Sequence, residues 1–247
     1  MFLPVGDEPN PSDHLPAATI AIIAANVAVF VLITLPLSMR APDPGDPALM
    51  EYLRALLPLL PPGTSVQQVL QQMSAYDLVL FHWGFRASDP TLLTLVTGMF
   101  LHAGFMHLAG NMLYLWVYGN NVEHRLGVVP FVFWYLATGA AATLFQTLFN
   151  LGSPIPLVGA SGAISGVLGF YLVWFPRNTV RLFVFLFPFY IGTVHVSATL
   201  VLMLYLILDN ILPFVVTQGA SGVAHGAHIG GFVAGMVVAG LMRIWRR

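Results

Sequence analysis

Long apolar runs separated by short polar turns dominate the chain from residue 17 onward. An α-helix needs about 20 apolar residues to cross a bilayer. Six such runs stand at about 17–37, 104–120, 130–150, 159–175, 194–215 and 222–244. The first begins after His14 and is closed by Pro36 and Arg40. A further apolar stretch, RLFVFLFPFYIGT at 181–193, would make the fifth run too long for one crossing. Pro188 and Gly192 interrupt it, so it is expected to lie in or near the membrane interface. The expected fold class is an all-α polytopic membrane protein with six transmembrane helices.

Residues 40–90 depart from this pattern, carrying three of the nine arginines and five of the ten acids. PALMEYLRALLPLL and TSVQQVLQQM are amphipathic, and in the second Val66, Val69, Leu70 and Met73 recur at helical spacing behind a Ser65/Gln68 capping pair. Two short helices on an interfacial loop are expected, with a lid or substrate contact as their functional alternative. The domain organisation is then a short tail, 1–14, and a single membrane domain, 15–247, with 40–90 inserted in its first extracytoplasmic loop.

Composition agrees with a membrane protein: 57% of residues are hydrophobic and 8% charged, where a soluble domain carries about 25% charged residues. The net charge of −1 offers nothing to nucleic acid, and the absence of cysteine excludes disulfides and thiol chemistry. The opening MFLPVGDEPNPSD has acids and no basic segment, so no cleaved signal peptide is expected. Arg125 follows the second run, Arg177 and Arg181 follow the fourth, and Arg243, Arg246 and Arg247 follow the sixth. The positive-inside rule puts these ends and both termini in the cytoplasm, and the 40–90 loop outside. A bacterial plasma (inner) membrane is the expected location.

In that topology the second, fourth and sixth helices run parallel and enter from the outer face. Polar residues cluster where they enter: His102, His107 and Asn111; Ser161; His225 and His228. Intramembrane polar groups are costly and face polar cavities, so a water-reachable outer pocket is expected. Ser161, Ser165 and Gly169 share one helix face, as do His228, Gly231 and Gly235. Small residues so spaced let backbones approach. If those faces meet, Ser161 comes near His228, a candidate nucleophile with a candidate base; the alternative is a small-residue interface with a satisfied histidine. Ser221, in a second GASG, is seven residues from His228 on the same helix, about 10.5 Å of rise and out of hydrogen-bond reach. It is expected to cap the sixth helix, and His225 to line the pocket or bond a loop. The unpaired N–H groups at the start of the Ser161 helix, with His107 and Asn111 on one face, are candidate oxyanion donors; interhelical hydrogen bonding is their alternative role.

The blocks HAGFMHLAGN (102–111), GASGAISGVLG (159–169) and AHIGGFVAG (227–235), with YGNNVEHRLG (118–127), resemble the signature blocks of the rhomboid intramembrane serine proteases, over about 91–244. The resemblance implies a six-helix rhomboid-like bundle that cleaves peptide bonds of transmembrane substrates with a serine–histidine dyad. Carried over by position, Ser161 matches the nucleophile and His228 the base. His107 and Asn111 match the oxyanion side chains, and His102 a structural support. Gly231 and Gly235 match the close-packing glycines, and Glu123 and Arg125 a structural cytoplasmic turn. The implied partners are single-pass or polytopic membrane protein substrates and the bilayer, with no nucleic acid, cofactor or metal. Two departures stand out. TLLTLVTG replaces a loop in which members often carry a Trp-Arg pair, and Ser165 replaces a tyrosine that in some members stacks on the histidine.

A catalytically silent rhomboid-like protein that binds membrane clients would lose the serine or the histidine, and both are here. A channel or transporter with a polar outer vestibule would favour paired ionisable groups or inverted repeats. A zinc protease lacks its HExxH, and His102, His107, His225 and His228 are joined by no acid or cysteine as metal ligands. Asp209 is the one acid for an aspartyl dyad or a triad; with Asn210 it is expected to form a polar pair at a helix end.

Overall fold

The computed structural model describes residues 2–11, 15–217 and 222–245. Along the chain, β1 (Phe2–Glu8) precedes α1 (Ala17–Ser38), α2 (Pro47–Leu56), α3 (Val66–Gln72), α4 (Ala75–Trp83), α5 (Leu92–Thr97), α6 (Phe105–Leu126) and α7 (Val128–Thr147). Then come α8 (Ser161–Trp174), β2 (Thr179–Leu186), β3 (Tyr190–Ser197), α9 (Ala198–Thr217) and α10 (His225–Trp245). Helices α1 and α9 each contain one π turn, Phe30–Thr34 and Ile207–Ile211.

Among the described residues, α1, α7, α9 and α10 are long and apolar enough to cross a membrane. The bent pair Leu92–Phe100 and Phe105–Leu126 adds a fifth candidate span if counted as one. Among the described residues, the protein is therefore a mostly helical membrane protein with four or five candidate spans. The 159–175 run forms α8, which at 14 residues is too short to qualify. Its length is limited by Gly159 at one end and Pro176 at the other.

The fold is also not all-α. Residues 181–193, expected in the interface, belong to an antiparallel sheet of order β1-β2-β3. β2 and β3 pair from Thr179↔Ser197 to Leu186↔Tyr190, and β1 adds through Leu3↔Phe183 and Glu8↔Thr179. Valine, phenylalanine, threonine and tyrosine favour strands, and Pro188 falls in the turn between them, where its missing N–H costs nothing.

The chain divides into two compact units. One comprises 24–108 and 150–160. Its core gathers Leu49, Leu53, Met73 and Leu78 from the amphipathic segments, with Tyr52, Leu57 and Val69 against them. The Ser65/Gln68 capping box forms at α3, and α4, with its own Ser74/Asp77 box, was not foreseen. Buried Arg86 bonds Glu51 and Asp89 at 3.0 Å each and lies 4.0 Å over the Phe81 ring. The uncharged connection after α7 is pinned by paired bonds between Phe85 and Leu157 (3.1 and 2.7 Å) and by Gly159 N to Gly98 O (2.8 Å).

The other unit comprises 1–23, 109–149 and 161–247. Here α8 and α10 touch backbone to backbone. A Cβ on Gly231 would fall on the carbonyl oxygen of Gly162, one on Gly235 on that of Gly166, and one on Gly169 on that of Phe232. Ala142 and Thr138 of α7 close over Gly162 and Gly166. Fully buried Glu123 accepts from Ala18 N (2.9 Å) and Thr19 N (2.7 Å), satisfying first-turn donors of α1. Arg125 lies 4.7 Å over the Trp174 ring.

In the same unit, the buried carboxyl of Asp7 in β1 accepts from Asn10 (3.0 Å), Asn121 and the Tyr171 hydroxyl. Burial raises its pKa above the ordinary 3.8, and the bonds from Tyr171, Asn10 and Asn178 only partly oppose this. A carboxyl that ionises less readily in the folded chain favours the fold fully below its unfolded pKa. That contribution is lost as pH rises through the folded value. Asp7→Asn is therefore expected to reduce the fall in unfolding temperature between about pH 4 and about pH 7 in detergent. An unchanged slope would show that Asp7 does not set it.

Candidate functional site

Ser161 opens α8. Just before it, Gly159 has φ +119°, a conformation that a side chain would strain. His228 lies in the first turn of α10, a turn fixed by Ala227 N donating to Gln146 Oε1 at 3.0 Å. The two faces meet: His228 Nε2 is 2.8 Å from Ser161 Oγ, and both side chains are partly exposed. The other ring nitrogen, Nδ1, is 2.6 Å from Asn210 Oδ1. Asn210, 1% exposed, lies in the π turn of α9, and its Nδ2 donates to the Tyr205 carbonyl at 2.9 Å. Asn210 is thus not a helix-end partner of Asp209: the π turn directs it inward, while Asp209 remains exposed. One turn along α8, buried Ser165 meets the Tyr205 hydroxyl at 2.8 Å. The His225 ring stands edge-on to His228, centroids 6.3 Å apart. Ser221 lies outside the described residues.

Asn111, in α6, is buried, and its Nδ2 has no hydrogen-bond partner among the described residues. A buried donor left unpaired costs roughly 1–3 kcal/mol, so this one is available to an acceptor. In the other unit, His107 stands in the first turn of α6 with its ring edge-on to that of His102, centroids 5.0 Å apart. His102 is almost fully buried. Its backbone is clasped by Tyr76, whose hydroxyl donates to His102 O at 3.0 Å and accepts from His102 N at 3.2 Å.

Sequence reasoning missed Asn210, Tyr205 and Tyr76. An available signal for Asn210 was its place inside the apolar run 194–215, where an amide has to find a partner.

A profile described as the Rhomboid domain matches residues 89–245. The chain belongs to the rhomboid family. This rhomboid is similar to Rhomboid protease GluP of Bacillus subtilis (strain 168), 33% identical over 145 residues, 59% of this chain and 25% of that protein. RHOMBOID-like protein 4 of Arabidopsis thaliana is 31% identical over 224 residues, 87% of this chain and 50% of its own. Rhomboid protein 1, mitochondrial, of Saccharomyces cerevisiae is 37% identical over 100 residues, 39% of this chain and 29% of its own. The chain spans half or less of the length of these relatives. In this rhomboid Ser165, four residues after Ser161, is reached by a tyrosine hydroxyl from another helix, that of Tyr205 in α9.

Proposed function

We propose that this rhomboid is an intramembrane serine endopeptidase that hydrolyses peptide bonds of transmembrane protein substrates. Ser161 is the nucleophile and His228 the general base. The observation that carries this reading is the 2.8 Å approach of His228 Nε2 to Ser161 Oγ. The family, and the description of the Bacillus relative as a rhomboid protease, support it.

His228 Nε2 takes the Oγ proton as Oγ attacks the scissile carbonyl carbon. The tetrahedral oxyanion is held by the amide of Asn111 and free N–H groups of the first turn of α8, a role that the resemblance also gives to the imidazole of His107. The C–N bond then breaks, and His228 returns the proton to the departing amine. Water attacks the Ser161 ester with its proton passing to Nε2, and collapse releases the carboxylic acid and restores the serine. In this reading α6 and α8 join the four long helices in a six-helix core, one membrane domain over 15–247. Both termini are cytoplasmic and the site opens to the outside.

A serine-directed phosphonate tests the reading. It is expected to attach to Ser161 of the detergent-solubilised protein, with the label mapped by mass spectrometry. Asn111→Ala and His107→Ala should each slow reporter cleavage about 100- to 1,000-fold with the fold retained, whereas His102→Ala should also lower the unfolding temperature. Attachment elsewhere, or none with folded protein, rejects the reading.

A further inference from the structure

A serine–histidine pair works only if the imidazole presents a bare nitrogen to the hydroxyl. A neutral imidazole protonates one of its two nitrogens, and what faces the other decides which. Here that group is Asn210. Its Nδ2 donates to the carbonyl oxygen of Tyr205 at 2.9 Å, and a carbonyl oxygen only accepts, so the amide has one possible orientation. Oδ1 then faces His228 Nδ1 at 2.6 Å and also only accepts. Nδ1 must carry the proton, and Nε2 is left with its lone pair toward Ser161 Oγ.

The arrangement is held from both ends. Tyr205 is tied through its hydroxyl to Ser165, four residues after Ser161. Hydrogen bonds and the covalent frame of Tyr205 join Ser161, His228, Asn210, Tyr205 and Ser165, leaving α8 and returning to it. The π turn Ile207–Ile211 supplies the bend; such one-residue widenings recur where a helix must redirect a functional side chain.

We propose that Asn210 is a positioning residue and that this rhomboid works with a Ser161–His228–Asn210 triad. The amide holds His228 in its Nδ1–H tautomer, fixes the ring plane, and bonds the imidazolium formed when Nε2 takes the serine proton. The inference rests on the nucleophile–base reading above. Among the described residues, the polar groups around His228 include Ser161 from α8, Asn210 and the neighbouring exposed Asp209 from α9, Gln146 from α7 at the Ala227 backbone, and His225 of its own helix. Tyr114 of α6 lies one ring further out, 5.8 Å from the Tyr205 ring.

The test uses the full chain in detergent, labelled with ¹⁵N-histidine, alongside reporter cleavage across pH. In the parent, His228 is expected to show a protonated Nδ1 and a bare Nε2 at neutral pH. A protonated Nε2 in the neutral ring overturns the proposal before any variant is made. Asn210→Ala should mix the tautomers and lower kcat about 10- to 100-fold with little change in KM. Asn210→Asp keeps an acceptor at Nδ1. It should recover part of the rate and move the acid limb of the profile to higher pH, since a carboxylate favours the charged ring. A residue that only packs would lower both variants alike, with the tautomer and profile unmoved, and that result rejects the proposal. If Ser161→Ala still cleaves while the His228 spectrum responds to Asn210→Ala, the nucleophile is wrong and the triad falls with it. The ring-orienting bond alone would stand.

Discussion

Ser161→Ala is expected to lower cleavage of a transmembrane reporter by roughly 10⁴- to 10⁶-fold, while Ser221→Ala keeps most of it. The chain offers two GASG sequences, at 159–162 and 219–222, and only one can hold the nucleophile. Ser161 and His228 come from different helices and meet at 2.8 Å, leaving their exposed sides for a substrate carbonyl. The helix that carries His228 begins at His225, and Ser221 precedes it outside the described residues. Both variants need a circular-dichroism melt beside the activity assay. A folded, inactive Ser221→Ala protein with an active Ser161→Ala protein would reverse the assignment.

Gly235→Val is expected to leave little folded protein and no cleavage. Its Cβ would collide with the carbonyl oxygen of Gly166, and backbone cannot turn aside as a side chain can. The two helices would have to separate. Overpacking a core typically costs about 1–3 kcal/mol, and a rigid backbone obstacle puts this case at or above the upper end. Gly240→Val is the control: five residues along the same helix, a Cβ there meets nothing within 4 Å. Since valine favours helix over glycine, the control should melt at or above the parent temperature. If Gly235→Val melts within a degree or two of the parent, the close approach does not govern stability.

Hydropathy marked where the chain becomes helical. The 17–37 run became Ala17–Ser38, and 194–215 became Ala198–Thr217. Capping chemistry located α3 to the residue at its start, Ser65. What hydropathy could not separate was strand from interfacial coil in 181–193, because a short continuous apolar run has no period. The partner that completes the sheet, β1, lies more than 170 residues away in an N-terminal segment expected to be a tail. In the site, small-residue spacing identified the faces of α8 and α10 that pack. Asn210 was hidden by its neighbour: beside Asp209 it looked like one half of a polar helix end. Only the extra residue of the π turn sends one side chain inward and leaves the other outside.

Helix α8 is 14 residues long, about 21 Å, against a hydrocarbon thickness of about 30 Å. A helix exposed to lipid would meet such a mismatch by thinning the bilayer around it. Every residue of α8 from Gly162 to Tyr171 is buried, so acyl chains do not solvate it along that length. Its depth is set by the glycine contacts with α10. Lengthening the host lipids would leave the level of Ser161 relative to His228 unchanged.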